Sequence, residues 1–78
     1  MKNKSDENFQ EFLKLIANNL KKERIEQGFT QEKLAEMNDI DYKYYQRIES
    51  GNVNITMKTL LKLSESLNIN PLKLFGEE

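Results

Sequence analysis

Residues 30–51, TQEKLAEMNDIDYKYYQRIESG, decide the fold. Thr30 reads as an N-cap with Glu32 in the first turn behind it, which predicts a short helix over 31–37. Leu34 and Ala35 are its inward positions. Asn38 and Asp39 follow, two residue types that enter the left-handed backbone region more easily than others, so a tight turn fits there. Ile40 is expected to point into the core. Asp41 caps a second helix over 42–50, in which Tyr45 and Ile48 face inward, and Gly51 ends it.

Outward from this stretch the chain stays helical. Phe9, Phe12, Leu13, Ile16 and Leu20 recur at spacings of three and four, one apolar face of a helix placed at 8–27. Ser5, Asp6 and Asn8 are candidate N-caps, and Gly28 suits the C′ position. Residues 1–7 are polar and expected to fray, leaving 8–78 as one domain. Beyond Gly51, Thr56 caps a helix at 57–67 whose Leu60, Leu61, Leu63, Ser64 and Leu67 form a broad apolar face. Asn70-Pro71 is a helix start signal and predicts a fifth helix at 71–75, with Leu72 and Phe75 as contacts. No strand-like alternation appears. The predicted architecture is all-α, five short helices around one core.

Composition narrows the chemistry. The 78 residues allow one domain. Without Cys there is no disulfide or thiolate zinc site, and without His the common nucleophile triads are absent. Glu32 with Glu36, and Asp39 with Asp41, are the nearest pairs to a catalytic or calcium constellation. The first pair is spaced as ordinary helix surface, and the second has no following ligand run. No catalytic residue, metal or cofactor is therefore assigned. No apolar run approaches the ~20 residues of a membrane span, and MKNKSDEN is not a signal peptide, so a cytoplasmic location is expected.

The helices at 31–37 and 42–50 are joined by four residues, which is helix-turn-helix geometry. The second helix leaves Tyr42, Lys43, Gln46 and Arg47 outward, with Tyr44 at its flank. Donors and aromatic groups on so short a helix suit the DNA major groove, where Arg and Lys donate to guanine O6 and N7. A plain solvated helix face would look similar.

From about Ile16 to Phe75 the chain resembles the Xre, or lambda-repressor-like, helix-turn-helix family. The resemblance is carried by LKKERIEQGFTQEKLA (20–35), RIESG (47–51) and NITMKTLLKL (54–63). It implies five helices, a homodimer, and the 42–50 helix reading operator DNA. Gln31 matches the family glutamine that opens the second helix and bonds a phosphate. Tyr42, Lys43 and Arg47 fall at positions like the family's base readers, with Gln46 beside them. Asn52, Asn54, Thr56 and Lys58 lie where the family loop grips the DNA backbone. Arg24 and Glu49 match a family ion pair with a structural role. Among small stand-alone members, the NITMKTL stretch and the length look most similar to the controller proteins of restriction–modification systems.

Some residues depart from the family pattern. Glu23 stands where the family often has an apolar residue, which predicts a rotated or locally exposed first helix. Asp39 replaces a frequent Gly or Asn, and Tyr45 replaces a smaller aliphatic residue at a buried position. Asp39 and Asp41 place acids beside the expected DNA surface.

A pI near 5.5 would argue against a nucleic-acid partner. Charge placement answers this in part. Between Tyr42 and Lys73 five basic residues face only Glu49 and Glu65. The expected partners are double-stranded DNA and a second copy of the chain, with no membrane and no small-molecule ligand. The rival reading is a protein-interaction module, antitoxin-like, that uses the same 42–50 helix face.

Overall fold

The structure, a computed structural model, describes residues 4–77. Four α-helices follow one another, α1 (Lys4–Glu26), α2 (Gln31–Met37), α3 (Tyr42–Glu49) and α4 (Met57–Ser66), and a short 3-10 helix (Pro71–Phe75) closes the fold. The fifth predicted helix is thus a five-residue 3-10 turn, so the described residues hold four α-helices and not five. A segment that short gains few i to i−4 bonds, and the tighter 3-10 pattern is the usual outcome at a chain connector. Its period of three sets its contacts. Leu74 is buried in the core, whereas Leu72, an expected contact, is 53% exposed.

Side-chain caps set the helix starts. Thr30 Oγ1 accepts from the Lys33 N–H at 3.0 Å, Asp41 Oδ2 from Tyr44 at 3.2 Å, and Thr56 Oγ1 from Thr59 at 3.1 Å. Asn70 Oδ1 accepts from Leu72 at 3.0 Å, ahead of Pro71. Each satisfies an N–H that the helix itself leaves without a partner. In the α2–α3 turn, Asp39 takes the left-handed conformation at φ 53. Asn38 is buried beside it. Its Nδ2 donates to the Leu34 carbonyl at 2.8 Å, and its Oδ1 accepts from Ser66 Oγ at 2.9 Å. The Asn38 carbonyl accepts from Lys62 Nζ at 3.2 Å, so α4 holds the turn from two sides.

The core forms where all elements meet, with Leu20, Leu34, Tyr45, Leu60, Leu63, Leu67 and Leu74 at its centre. Ile40 and Phe75 pack against it partly buried, and Leu61 is exposed. The first helix differs from expectation at its start. It begins at Lys4, so residues 4–7, expected to fray, are helical; the remainder of the expected 1–7 tail lies outside the described residues. Phe9 and Phe12, placed on the apolar face, are 43% and 41% exposed. A helix of 23 residues runs ~34 Å. The partners of α1 are helices of ten residues or fewer, which cannot cover that length. The Phe75 ring stacks on Phe12 at 5.5 Å between centroids.

Glu23 also departs from expectation. It is buried, neither rotated out nor exposed, and its Oε2 lies 3.3 Å from Lys73 Nζ. It belongs to a polar stripe at spacings of four. Asn19 Nδ2 donates to the Leu74 carbonyl at 2.9 Å, and Gln27 Nε2 donates to the Leu67 carbonyl at 2.6 Å. This stripe fastens the chain's C-terminal segment along α1.

Two of the α-helices are followed by glycines with positive φ, Gly28 at 79° and Gly51 at 77°. A Cβ on Gly28 would meet nothing within 4 Å, whereas one on Gly51 would lie 3.0 Å from Lys14 Cγ and 3.3 Å from Lys14 Cα. Gly51 is therefore where the end of α3 presses on the backbone of α1. Gly28→Ala should cost only the left-handed conformation, ~1–2 kcal/mol. Gly51→Ala should lose a further ~1–3 kcal/mol from overpacking, seen as a lower urea midpoint than that of Gly28→Ala.

Candidate nucleic-acid interface

The eight residues of α3 divide into two faces. Tyr45, Ile48 and Glu49 are buried, while Tyr42, Lys43, Gln46 and Arg47 are exposed on the opposite side. Tyr44 sits at the flank, half-buried and packed against the core. Among the described residues, no side-chain hydrogen bond or ion pair engages Lys43, Gln46 or Arg47, so the donors of this face are available to an outside partner.

The buried side of α3 is held by one carboxylate. Arg24 of α1 meets Glu49 through two parallel bonds, Nε to Oε2 at 2.6 Å and Nη2 to Oε1 at 3.1 Å. Its third nitrogen, Nη1, donates to the Phe29 carbonyl at 2.8 Å. The Tyr45 hydroxyl donates to Glu49 Oε2 from one turn earlier on α3. Gln31 Nε2, at the start of α2, donates to Glu49 Oε1 at 3.0 Å. The implied Arg24–Glu49 pair is thus present, and it is the centre of a network of four side chains. The sequence reading placed Tyr45 inward, where it lies, and gave Gln31 a phosphate contact, but it assigned neither a bond to Glu49. The spacing of Tyr45 and Glu49, one helical turn apart, was the available signal, because a buried tyrosine needs a partner for its hydroxyl.

Burial alone would raise the Glu49 carboxyl. The hydrogen bonds from Arg24, Tyr45 and Gln31 outweigh it and hold the group below its ordinary value. The Arg24 guanidinium is shifted upward, chiefly by its bond to Glu49. The Tyr45 phenol is also pushed up, first by burial and then by its bond to the carboxylate. All three groups keep their usual charge at neutral pH.

The remaining expected residues lie after α3. Asn52, Asn54, Thr56 and Lys58 are all exposed on the α3–α4 loop and the first turn of α4. The Thr56 hydroxyl is already occupied as the α4 cap and also donates to Thr59 Oγ1 at 3.0 Å. Gln31, half-exposed, is likewise partly committed through its bond to Glu49. Of the two acids near this surface, Asp41 is the α3 cap and Asp39 is exposed in the turn. Among the described residues, no three His, Cys, Asp or Glu side chains gather as a metal site, and no helix is long and apolar enough to cross a membrane.

A short helix pair joined by a tight turn, with one solvent-facing second helix, defines a helix-turn-helix domain. The family described as Helix-turn-helix (HTH_3) matches residues 20–74, and the chain belongs to it. It is 39% identical over 63 residues to the control protein C.MunI of a Mycoplasma species, a match spanning 80% of this chain and 85% of that protein. The restriction-modification controller protein C.AhdI from Aeromonas hydrophila superposes with a TM-score of 0.78 at 33% identity, over 81% of this chain and 96% of that one. The controller protein C.Esp1396I gives a TM-score of 0.75 at 32% identity, over 83% of this chain and 84% of that one.

The network sets a dependence on pH. Glu49 is held lower in the folded chain than its unfolded value of about 4.3, so its contribution is fully present above that value. It is lost as pH falls through the folded value. Urea unfolding at neutral pH and near pH 3 should show a smaller acid-induced loss for Glu49→Gln than for the wild type. Arg24→Ala leaves the carboxylate buried without its main partner and should cost ~3–5 kcal/mol at neutral pH.

Proposed function

We propose that the protein is a sequence-specific DNA-binding transcription regulator of the restriction–modification controller type. It acts in the cytoplasm as a homodimer on a palindromic operator. The observation that carries this reading is the α3 face where Tyr42, Lys43, Gln46 and Arg47 are exposed while the opposite face is locked. The kinship with controller proteins supports it. In this reading the four α-helices and closing 3-10 turn are a lambda-repressor-like domain, a binding protein and not an enzyme. Arg47 and Lys43 donate to base edges in the major groove, Gln46 contacts a base or a phosphate, and Tyr42 packs on a thymine methyl or bonds a phosphate. Tyr44 supports the helix from its flank. Asn52, Asn54 and Lys58 hold the backbone, with Thr56 fixing the start of α4 between them. Gln31 offers its free amide oxygen and backbone to the same side. A symmetric dimer would place its two α3 helices about one DNA turn apart, ~34 Å.

Fluorescence anisotropy with the DNA upstream of the protein's own coding sequence, and with a scrambled duplex, tests the reading at several salt concentrations. Tight binding to the upstream DNA with a steep negative salt slope is expected. Absence of binding to either duplex at low salt overturns it and favours a protein partner on the same face.

Two variants separate the roles. Arg47→Ala should lose ~1–3 kcal/mol of discrimination between operator and random DNA. Lys58→Ala should weaken both duplexes equally and reduce the salt slope by about one.

A further inference from the structure

The long helix α1 carries lysines on two different faces. Lys22 borders a cleft toward the C-terminal segment, together with Asn19, Glu23 and Lys73. Lys21, the preceding residue, borders a shallow depression on another side, together with Gln31, Gln46, Glu49 and Ser50. Lys21 is therefore beside the outward α3 residue Gln46 and the end of that helix. Lys14 continues the same stripe. It precedes Lys21 by seven residues, two turns or ~10 Å along the helix, which returns to nearly the same face. Its Cγ and Cα are what a Cβ on Gly51 would strike, so its stem crosses the chain where α3 ends.

Both lysines are exposed, and neither has a hydrogen bond or ion pair to another described residue. Glu49 borders the same depression as Lys21, and its two oxygens are taken by Arg24, Tyr45 and Gln31. Between the lysines the stripe holds Asn18 and no acid. Glu11, one turn before Lys14, marks where it stops. The stripe is a short basic edge running alongside the C-terminal end of α3.

We propose that α1 forms a second phosphate-binding edge, with Lys21 and Lys14 contacting the DNA backbone next to the groove that α3 enters. This rests on the DNA-binding reading above and extends the contact surface to a helix outside the helix-turn-helix pair. The contacts carry no base information, because ammonium groups on a backbone strand act as point charges.

The test is anisotropy with the upstream duplex and a random duplex, from about 50 to 200 mM salt, a range over which phosphate contacts are resolved. Wild type, Lys21→Gln, Lys14→Gln/Lys21→Gln and Lys22→Gln are compared, each checked for unchanged circular dichroism and melting. The slope of log K against log salt should shrink by ~0.9 for Lys21→Gln and by about twice that for the double variant. The shrinkage should be equal on both duplexes, and Lys22→Gln should leave the slope unchanged. If the double variant fails to fold because Lys14 packs on Gly51, Lys21→Gln alone carries the test. An unchanged slope in folded lysine variants, with Arg47→Ala still losing discrimination, overturns the α1 edge and leaves the DNA reading standing. An equal loss in Lys22→Gln also overturns it, since net charge alone would then explain the effect. Wild type that binds neither duplex overturns both.

Discussion

Three helices meet at the carboxylate of Glu49. Arg24 from α1 donates to both oxygens, Gln31 from α2 to Oε1 and Tyr45 from α3 itself to Oε2. An ionised carboxylate that is buried costs several kcal/mol unless its lone pairs are satisfied. Here they are, by one cation and two neutral donors. The requirement works in the other direction as well. A shift of any of the three helices would leave the charge underbonded, so the network penalises alternative packings more steeply than apolar contact does. Buried polar networks that are fully satisfied tend to fix a single arrangement in this way.

That constraint matters because α3 is too short to hold itself. Eight residues form about two turns, well under the ~12–15 at which isolated helices become marginal in water. Its order comes from outside: the Asp41 cap at its start, Tyr45 and Ile48 in the core, and Glu49 locked at its end. With the inward face held so firmly, the outward residues need no contact with the rest of the chain. A rigid helix with unengaged donors is what recognition of a fixed groove requires, since little conformational entropy is lost on binding.

The helices around this centre were legible because their punctuation is local. Thr30, Asp41, Thr56 and Asn70 announce their caps through residue type and position, and Gly28 and Gly51 announce the ends. What was not legible depends on distance in space. The start signal at Asn70-Pro71 is the same for an α-helix and a 3-10 turn, and the left-handed Gly76 closes the segment after five residues. Phe9 and Phe12 lie on the right face of α1 but stay more than two-fifths exposed, even with Phe75 stacked on Phe12. Glu23 read as a misplaced acid because its partner, Lys73, is fifty residues away. Within the candidate interface, the exposed quartet of α3 followed directly from its helical spacing. The partial commitment of Gln31 and Thr56 did not, since each needs a partner whose position the fold decides.

The same geometry shows how a chain of net charge −1 presents unpaired bases on one helix face. Its acids are unevenly used. Glu49 is neutralised by Arg24, Glu23 lies against Lys73, and Asp41 faces the N–H groups at the start of α3. Asp6, Glu7 and Glu11 sit at the far end of α1, and Glu77 at the C-terminal end. Lys43 and Arg47 have no such partners and project outward from α3, with Lys58 exposed on the following helix. Potential at a binding surface depends on the charges within about a Debye length, ~8–10 Å, and on whether each is already paired. Folding therefore separates the signs. It draws Glu49, Glu23 and Asp41 into pairs and a cap and leaves Lys43 and Arg47 unpaired on α3, while Glu32 and Asp39 stay exposed nearby, so the overall pI is a poor guide to any one part of the surface.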